Sequence, residues 1–478
     1  MLSKFLSVAV FTAAVTAHPT YGTNNDIDTS KWSSKDVIHK DVAIIGGGSS
    51  GTYAALSLKD KKVSCIVIEA KDRLGGHAVT YTDAETGTPI NYAVSVMHNQ
   101  DLVKQYFKRF NSPLTLAKTP AVFGTATYDH KTGKSVNARV YSQTEIADAM
   151  KKYAALISQW PRLNDGLYLP DPVPEVLAQP LGEVAKKYGF EAAVPTFYNY
   201  NPGLGDELTV PLIELMRVFS LDLVKTFATG FLIPTNVSSL YTGAEAELRA
   251  ADSLLLSSWA VQAKRTDAGV KLVVKTPTGQ KLIVAKKLLI TIPPKVDFLK
   301  NLDLSGPETE VFSKFQNAAY FTSVVKNSGL PANLTIFNGQ ENTPYNFGPL
   351  PGIINSNPTG TKYHVVYYAT PRGFSTFPYS PDAAKREIIA GLKALQAGSP
   401  TTFTKAEPEI VAFAAHMPYQ LQVCPSDIKK GFYKNLYALQ GLRSTFYSGA
   451  AWKGHDSSQI WKYTEKIIVP EIVKALQK

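Results

Sequence analysis

The stretch that decides the fold is DVAIIGGGSSG, residues 41–51. Its first five residues form a short and almost entirely apolar run, which is typical of a parallel strand buried on both faces. From Ser49 to Asp60 the apolar residues recur at helical spacing, and KVSCIVIE, residues 62–69, predicts a second strand. Strand, helix and strand together predict a β-α-β unit and therefore an α/β fold.

The glycines after the first strand follow the G-x-G-x-x-G spacing of a dinucleotide-binding turn. Gly46 permits the tight turn, Gly48 lets the backbone approach a pyrophosphate, and Gly51 allows close packing of the helix on the strand. Glu69 ends the second strand, where its carboxylate can accept hydrogen bonds from both ribose hydroxyls. This order of elements predicts a dinucleotide site.

The segment RLGGH, residues 73–77, separates FAD from NAD. It resembles the R-x-G-G extension that follows the Rossmann unit in flavin amine oxidases and their relatives. Gly75 and Gly76 let the backbone run against a cofactor, and Arg73 can meet phosphate charge. The resemblance implies a resident FAD, with His77 beside it.

Two later segments extend this resemblance. A helix pattern over Ala244–Leu255 leads into strands that are split by turns at Asp267-Ala268-Gly269 and Thr278-Gly279. In the family this arrangement returns the chain to the FAD domain, which implies that the strand around Val261 passes the adenine end of the cofactor.

The closing segment, residues 441–473, resembles the terminal motif of the family: an apolar strand, a glycine turn at Gly449 and a last helix. Asp456 is placed to cap that helix. The free N–H groups of three residues at the helix start, Ser457, Ser458 and Gln459, would face the flavin and stabilise negative charge that develops on reduction.

The resemblance implies a Rossmann-type FAD-binding domain interleaved with an α+β substrate domain. A length of 478 residues suits two domains, and 24 Tyr and 22 Phe favour an aromatic-lined pocket for an apolar substrate. The predicted ranges are a signal peptide over 1–17, the FAD-binding domain over 38–120, 240–300 and 430–478, and the substrate domain over 121–239 and 301–429.

Several residues depart from the amine oxidases. Ala450 stands where those enzymes carry an acid, and Lys300 is one position away from the flavin-side lysine of the family. Phe446 matches one wall of the amine-binding aromatic cage, whereas the second wall has no evident counterpart. These departures weaken amine oxidation as the reaction of this chain.

Three segments instead resemble the fungal branch that contains β-cyclopiazonate dehydrogenase, whose members oxidise and cyclise prenylated secondary metabolites. They are RLGGH, INYAVSVMHN at residues 90–99, and TFYSGAAWKGHDSSQIW at residues 445–461. Within that branch a glycine is expected at Ala93 and a longer polar side chain at Ser95. Catalytic equivalence to the branch therefore stays open.

The resemblance implies hydride transfer from an activated C–H bond to flavin N5, with O2 as the expected electron acceptor. Desaturation or oxidative cyclisation would follow, and the alternatives are amine oxidation and redox-neutral fatty-acid isomerisation. The candidates for a catalytic role are Phe446, Tyr447 and His98, although Tyr447 could equally pack beneath the flavin. His77 is expected to bind the cofactor noncovalently, a covalent tether being the alternative, and His455 is expected to have no chemical duty.

Other function classes lack their sequence signals. No His/Cys cluster has metal-ligand spacing, and no G-x-S-x-G motif is present. The formal charge of +11 is scattered rather than arranged in a stripe, which disfavours nucleic acid as a partner. Cys65 and Cys424 could form one disulfide at most.

The first 17 residues, MLSKFLSVAVFTAAVTA, combine a basic residue, an apolar core and a small-residue exit. This pattern predicts a secretory signal peptide, and the run is shorter than the roughly 20 apolar residues of a membrane span. We therefore expect a secreted protein without stable membrane insertion, whose mature chain starts near His18. Asn236-Val-Ser238 and Asn333-Leu-Thr335 would be glycan acceptors there.

Overall fold

The computed structural model describes residues 27–117 and 123–477, so the predicted signal peptide over 1–17 lies outside the described residues. The strands, in chain order, are β1 Val37–Ile45, β2 Cys65–Ile68, β3 Thr80–Thr82, β4 Pro89–Asn91, β5 Met97–His98, β6 Leu114–Ala117, β7 Gly124–Tyr128, β8 Phe231–Pro234, β9 Leu254–Leu255, β10 Trp259–Thr266, β11 Gly269–Thr276, β12 Gly279–Ile290, β13 Gln316–Lys326, β14 Leu334–Asn338, β15 Gly352–Pro358, β16 Tyr363–Ala369, β17 Glu409–Gln422 and β18 Thr445–Tyr447.

The α-helices are α1 Ser49–Asp60, α2 Asp101–Arg109, α3 Gln143–Ile157, α4 Leu181–Tyr188, α5 Val194–Tyr200, α6 Leu212–Met216, α7 Leu221–Thr229, α8 Val237–Ala250, α9 Val296–Leu299, α10 Gly306–Phe312, α11 Pro381–Gly398, α12 Pro425–Lys429, α13 Phe432–Tyr437, α14 Ser457–Tyr463 and α15 Val469–Leu476. Short 3₁₀ helices span Thr29–Lys31, Ser34–Asp36, Pro161–Asn164, Glu175–Ala178, Glu191–Ala193, Glu207–Thr209, Pro344–Asn346 and Leu442–Ser444. A π-helix, Thr464–Ile468, joins α14 to α15.

The sheet that carries the dinucleotide unit has a parallel centre. Within residues 27–117 and 123–477 its strand order is β10-β11-β12-β1-β2-β9, and β18 pairs with the end of β12. Strands β1, β2, β9 and β18 join the sheet by parallel pairing, while β10, β11 and β12 form an antiparallel meander. The apolar run at Val42–Ile45 is buried in the core. The predicted β-α-β unit and α/β fold class are therefore confirmed.

The predicted helix at Ser49–Asp60 matches α1 residue for residue. The helix pattern expected over Ala244–Leu255 belongs to a longer helix, α8, which begins at Val237 and ends at Ala250. The prediction was wrong at both ends because Asn236 caps the helix through its side chain, and because Asp252 has a positive φ of 47° that stops it. The two predicted hairpin turns are confirmed between β10, β11 and β12.

A second sheet presents two different faces. Over the described part of the chain its order is β17-β13-β16-β15-β14-β7. Helix α11 packs on one face, where Phe321, Val366 and Tyr368 are buried in a common apolar cluster. Because side chains alternate along a strand, Tyr320 and Tyr367 point to the opposite face of this sheet.

Apart from Val37, the strands of the first sheet fall within the three predicted FAD-binding ranges, and all six described strands of the second sheet fall within the predicted substrate ranges. A small sheet, β5-β8-β6, crosses the predicted boundary at 120/121, because β6 pairs with β8. Within residues 27–117 and 123–477, no helix is long and apolar enough to cross a bilayer.

Candidate functional site

The glycine turn between β1 and α1 is built as its spacing predicts. Gly46 has a φ of +105°, a region that residues with a side chain rarely adopt. A Cβ on Gly51 would lie 1.9 Å from the carbonyl oxygen of Gly46. Any larger residue at Gly51 would therefore push α1 away from β1, and the tight turn requires both glycines.

The RLGGH segment folds back over this turn. A Cβ on Gly76 would lie 3.0 Å from the Cα of Gly48, so the two backbones are nearly in contact. We call Gly46–Gly51 together with Gly75–Gly76 the glycine cradle. Arg73 stabilises the Gly75–Gly76 part of this cradle, because its guanidinium donates to the carbonyl groups of Leu74, Gly76 and Ala78. A contact between Arg73 and a phosphate stays a prediction.

Glu69 closes the cradle at the end of β2. One carboxylate oxygen accepts the Gly47 N–H at 2.6 Å, and the other accepts the Lys71 N–H at 2.8 Å. The side chain is buried, and each oxygen keeps a lone pair for a further donor. This arrangement fits a carboxylate that binds the ribose of a dinucleotide, as the sequence predicts.

The start of α1 leaves hydrogen-bond donors free. Gly48 occupies the N-cap position and offers no side chain to the helix. Within the described part of the chain, the N–H groups of Ser49, Ser50 and Gly51 have no partner, and Ser49 Oγ and the Tyr241 hydroxyl are buried without one. Free N–H groups at the positive end of a helix bind phosphate groups. The cradle therefore fits a dinucleotide pyrophosphate.

The terminal motif packs against the same helix start. Gly449 has a φ of +110°, and a Cβ there would be 3.9 Å from Ser50 Cβ. Ser50 Oγ donates to Ser448 Oγ at 2.8 Å, and the indole N–H of Trp461 donates to the Ser49 carbonyl at 3.2 Å. The predicted strand, glycine turn and last helix are confirmed, and the fold brings them to the cradle.

Asp456 caps α14 as predicted, with Oδ1 accepting the Gln459 N–H at 2.9 Å. Its Oδ2 lies 3.1 Å from His98 Nε2, and His98 is fully buried. Burial alone would raise the pKa of Asp456, but His98 and the Gln459 N–H outweigh it and hold that pKa below its ordinary value. The contacts of His98 are thus those of a residue that positions the start of α14.

Ser458 can offer a cofactor its backbone N–H, because its side chain already has a partner within the protein. Its Oγ accepts the His98 N–H at 3.0 Å and is buried. The N–H groups of Ser457 and Ser458 have no partner within residues 27–117 and 123–477, whereas Gln459 is capped. Two of the three predicted donors at this helix start remain available to a cofactor.

Val261 does not lie beside the end of β2. Its strand, β10, is four positions away from β2 in the sheet, and its side chain packs against Ile27 and Val273. The segment that reaches β2 is Leu254–Ser258, because the Ser258 N–H donates to the Glu69 carbonyl at 2.8 Å. The same segment lines a cleft of about 440 Å³. The sequence missed this segment because Leu254–Leu255 looked like the end of a helix.

Tyr447 and Phe446, two of the three candidates for a catalytic role, are both buried within the protein. The Tyr447 hydroxyl donates to Glu308 and its ring stacks on Trp452 at 5.0 Å, and its place relative to the flavin stays a prediction. Phe446 is buried in the main core, and among the described residues its ring pairs with no other aromatic ring. An aromatic cage built on Phe446 is therefore not seen.

The expected counterpart of the flavin-side lysine is also not seen. Lys300 is exposed just after α9. The buried lysine of this region is Lys295, whose ammonium donates to the carbonyl groups of Phe315 and Phe374 at 2.8 and 2.9 Å. At the position of the missing acid, the Ala450 carbonyl accepts from the buried guanidinium of Arg217.

His77 leads from the glycine cradle into a group of aromatic side chains. Its ring centroid lies 4.4 Å from His416 and 5.8 Å from both Tyr419 and His455. Burial first, and then the charges of Lys71 and Arg73, lower the pKa of His77 to about 3. Burial likewise holds the pKa values of His416 and His455 well below their ordinary range. All of these imidazoles are therefore neutral at neutral pH.

Tyrosines from the second sheet complete this group. Tyr320 on β13 has its ring 5.0 Å from Tyr419, 5.7 Å from Tyr367 and 5.8 Å from His416. Burial raises the pKa of Tyr320, and the neighbouring phenols raise it further. Across the described ranges no hydroxyl of these tyrosines has a hydrogen-bond partner. We call His77, His416, His455, Tyr320, Tyr367 and Tyr419 the ring cluster.

Most of the ring cluster was not anticipated from the sequence. The placement of His455 in the loop before the last helix is confirmed, but its ring joins the cluster instead of standing alone. His416 and Tyr419 carried one signal, since they lie on either side of Pro418, and a proline within a strand pattern indicates an irregularity. The pairing of β17 with β13 does shift register at this place. No metal-binding group of His, Cys, Asp or Glu occurs in the described residues.

Comparisons with known proteins agree with this geometry. A family model described as an NAD(P)-binding Rossmann-like domain matches residues 44–110. FAD-dependent oxidoreductase oblC of Cochliobolus heterostrophus is 42% identical, with 98% of each chain covered. β-Cyclopiazonate dehydrogenase of Aspergillus oryzae is 34% identical over 91% of this chain and 93% of that protein.

Solved structures share the fold at low sequence identity. A fatty acid isomerase from P. acnes superposes with a TM-score of 0.71 and 17% identity, covering 90% of this chain and 98% of the other. Putrescine oxidase has a TM-score of 0.60 and 14% identity, with 92% and 100% covered. With this fold, the fitting cradle and relatives that match nearly end to end, the chain belongs to the fungal FAD-dependent oxidoreductases that include β-cyclopiazonate dehydrogenase.

Proposed function

We propose that this FAD-dependent oxidoreductase acts on a small apolar secondary metabolite, such as a prenylated one, by removing hydride from an activated C–H bond. Bound FAD supplies the two-electron acceptor for that hydride. A cation left on the substrate would lose a proton to form a double bond, or react with an internal nucleophile to close a ring. The name of β-cyclopiazonate dehydrogenase, which describes a dehydrogenation, supports this reaction class.

The observation that carries the proposal is the direct continuity between cradle and ring cluster. The Gly76 backbone is nearly in contact with that of Gly48, and the next residue, His77, contacts His416 and His455. A cofactor held by the cradle would therefore adjoin an aromatic wall. Neutral imidazoles and phenols can hold and orient an apolar, polarisable substrate there and exclude water. Hydride removal requires both an oriented substrate and a dry site.

Backbone N–H groups at the start of α14 would stabilise negative charge in the product state. Asp456 fixes the first turn of α14, which leaves the N–H groups of Ser457 and Ser458 available at the positive end of a helix. Such donors stabilise negative charge that develops on a neighbouring group. We propose O2 as the electron acceptor and entry into the secretory route, the latter supported by the pattern of residues 1–17.

The test uses purified holoprotein and a metabolite extract from a strain that lacks the gene. We expect loss of two hydrogens from one metabolite, measured by mass spectrometry, together with steady release of hydrogen peroxide. Release of peroxide with simple amines alone would indicate an amine oxidase. A metabolite converted without change of mass or peroxide release would indicate a redox-neutral isomerase, and either result would contradict the proposal.

A further inference from the structure

One backbone contact fixes the tautomer of His455. The Gln420 N–H donates to His455 Nε2 at 3.0 Å, so this nitrogen carries no proton. A neutral imidazole must then carry its proton on Nδ1. Protonation of Nε2 would set two N–H groups against each other. His455 is therefore held as a neutral hydrogen-bond donor, and its Nδ1–H has no partner among the described residues.

The surroundings hold His455 in place. Arg217 donates to the carbonyl groups of Leu421 and Ala450, and so connects the end of β17 to the terminal motif. A Cβ on Gly454 would lie 2.3 Å from the Arg217 carbonyl oxygen, so the chain just before His455 is packed on that residue. The Tyr419 ring lies 4.2 Å from the His455 ring. The imidazole that carries the Nδ1 donor thus has a defined position beside the Tyr419 ring.

The charges near the ring cluster are mostly positive. After burial, the charges that lower the pKa of His77 are those of Lys71 and Arg73, and the charge of Arg217 acts on His455 in the same direction. A site with positive potential favours an anion or a negatively polarised oxygen and repels an ammonium group.

Carboxylates near the ring cluster are occupied or neutral. Asp456 acts on Tyr419 electrostatically, but its oxygens already contact His98 and the Gln459 N–H. Glu207, which acts on Tyr198 in the same aromatic wall, is buried and has no hydrogen-bond partner among the described residues, and burial raises its pKa well above the ordinary value. An ammonium ion would find no ionised, free carboxylate among these groups.

We infer that the substrate presents a carbonyl or enolate oxygen to the ring cluster, and that His455 Nδ1–H binds this oxygen together with the hydroxyls of Tyr419 and Tyr320. The inference deepens the proposed function, on which it rests for the presence of a substrate in the cluster. His455 would act as a specificity residue that selects an oxygen-bearing metabolite over an amine of the same shape.

The experiment compares two six-membered rings on the FAD-loaded protein at neutral pH. One probe is 1,3-cyclohexanedione, which is an enolate at that pH, and the other is cyclohexylamine, which is an ammonium ion. Binding is measured by calorimetry and by perturbation of the flavin absorption. We expect the dione to bind at least about tenfold more tightly than the amine, as one hydrogen bond to a charged group predicts.

Two variants and a control assign the effect to His455. His455→Phe should weaken dione binding about tenfold or more, whereas His455→Gln, which keeps an acceptor for Gln420 N–H and a donor for the ligand, should retain most of it. His39→Ala, on an exposed histidine of β1, should change nothing. FAD content and unfolding midpoint are recorded for each variant, and His455→Met, which also removes the donor but keeps side-chain bulk, carries the test if the Phe variant fails to fold.

Three results would overturn the inference: binding of cyclohexylamine as tight as that of the dione, no binding of the dione, or dione binding that loss of the His455 donor leaves unchanged. Turnover of metabolites by the wild type is measured separately. Turnover without a preference for the dione contradicts this inference alone, whereas dione binding without any oxidation contradicts the proposed function alone.

Discussion

Two buried polar clusters in this protein differ in how completely their hydrogen bonds are satisfied. In the first, Arg265 donates to Asp303 at 2.8 Å and to both oxygens of Glu308 at 2.7 and 3.0 Å, while Tyr447 and Arg443 complete the carboxylates. We call these five residues the ion cluster. In the ring cluster, by contrast, the three tyrosine hydroxyls and the Nδ1–H of His455 have no hydrogen-bond partner among the residues that the structure describes.

The difference separates groups that hold the fold from groups that await a ligand. A fully paired buried network stabilises its surroundings, and removing one member leaves another charge unpaired. Buried or half-buried polar groups without partners cost stability unless a ligand supplies the partner. We therefore expect variants of the ion cluster to change stability, and variants of the ring cluster to change binding.

The largest expected effect is that of Glu308→Gln in the ion cluster. Removing this charge leaves Arg265 partly unpaired, and the free energy of unfolding should fall by about 3 kcal/mol. Burial opposes ionisation of Glu308, but Arg265 and Tyr447 lower its pKa to about 2. Its stabilisation is therefore present above pH 4.5 and lost as the pH falls toward 2, so the difference between variant and wild type should shrink in acid.

Denaturant unfolding of the FAD-loaded protein at pH 7 and in acid measures this effect. Glu310→Ala, an exposed residue two positions along the same helix, is the control and should stay within about 0.5 kcal/mol of the wild type. A loss in Glu308→Gln no larger than in this control would remove the distinction between the two clusters.

Glu69 lies between the two clusters in how far its hydrogen bonds are satisfied, because each of its oxygens has one protein donor and room for a second. Glu69→Ala should weaken FAD binding by about 1.5–3 kcal/mol, since hydrogen bonds to a charged group are lost. Titration of the apoprotein with FAD measures the change. Unchanged affinity for FAD would contradict the assignment of Glu69 to the ribose, and a colourless wild type that cannot be reconstituted would contradict FAD binding altogether.

The ring cluster should weaken the protein in mild acid. His77 has a pKa of about 3 in the folded state and 6.5 as its ordinary value, so the unfolded chain binds more protons in this window. Stability present above pH 6.5 is lost as the pH falls toward 3, with a slope of up to about 1.4 kcal/mol per pH unit. His77→Ala should reduce the slope between pH 6.5 and 4.5. His39→Ala should not, and equal slopes in the two variants would speak against a neutral His77.

A matched pair of Tyr→Phe substitutions sharpens the comparison at smaller scale. Tyr447→Phe removes a hydroxyl that donates a hydrogen bond to Glu308, and we expect the free energy of unfolding to fall by about 1.5 kcal/mol. Tyr367→Phe removes a hydroxyl without a partner, so the free energy of unfolding should change by less than about 0.5 kcal/mol. Thermal or denaturant unfolding resolves the two, and similar losses at both sites would mean that Tyr367 has a partner in the folded protein.

The smallest expected effect is that of His77→Ala on retention of FAD. His77 contacts imidazole and phenol rings, and we predict that it touches the cofactor without a covalent bond. Activity should fall, while acid precipitation should release FAD from variant and wild type alike. If the precipitated wild type stays yellow and only His77→Ala releases flavin, then His77 is the tether.

The sequence determined the cofactor half of this protein because its signals are local. Gly46 is required by its own positive φ and Gly51 by the nearby carbonyl oxygen of Gly46, and Asp456 caps the helix that follows it directly. The error at the end of α8 lies where the tertiary structure overrode the local pattern: Leu254–Leu255 continue a helical pattern in the sequence but pair with β2 in the fold.

Only the tertiary structure decided the ring cluster. Its members come from the cradle loop, from three strands of the second sheet and from the loop before α14, and period-two alternation does not say which face of a strand meets which neighbour. Tyr367 faces the cluster and Tyr368 faces α11, although the two are adjacent in sequence. The donor state of His455 rests on the backbone of Gln420, 35 residues away, a contact that exists only after the second sheet has packed against the terminal motif.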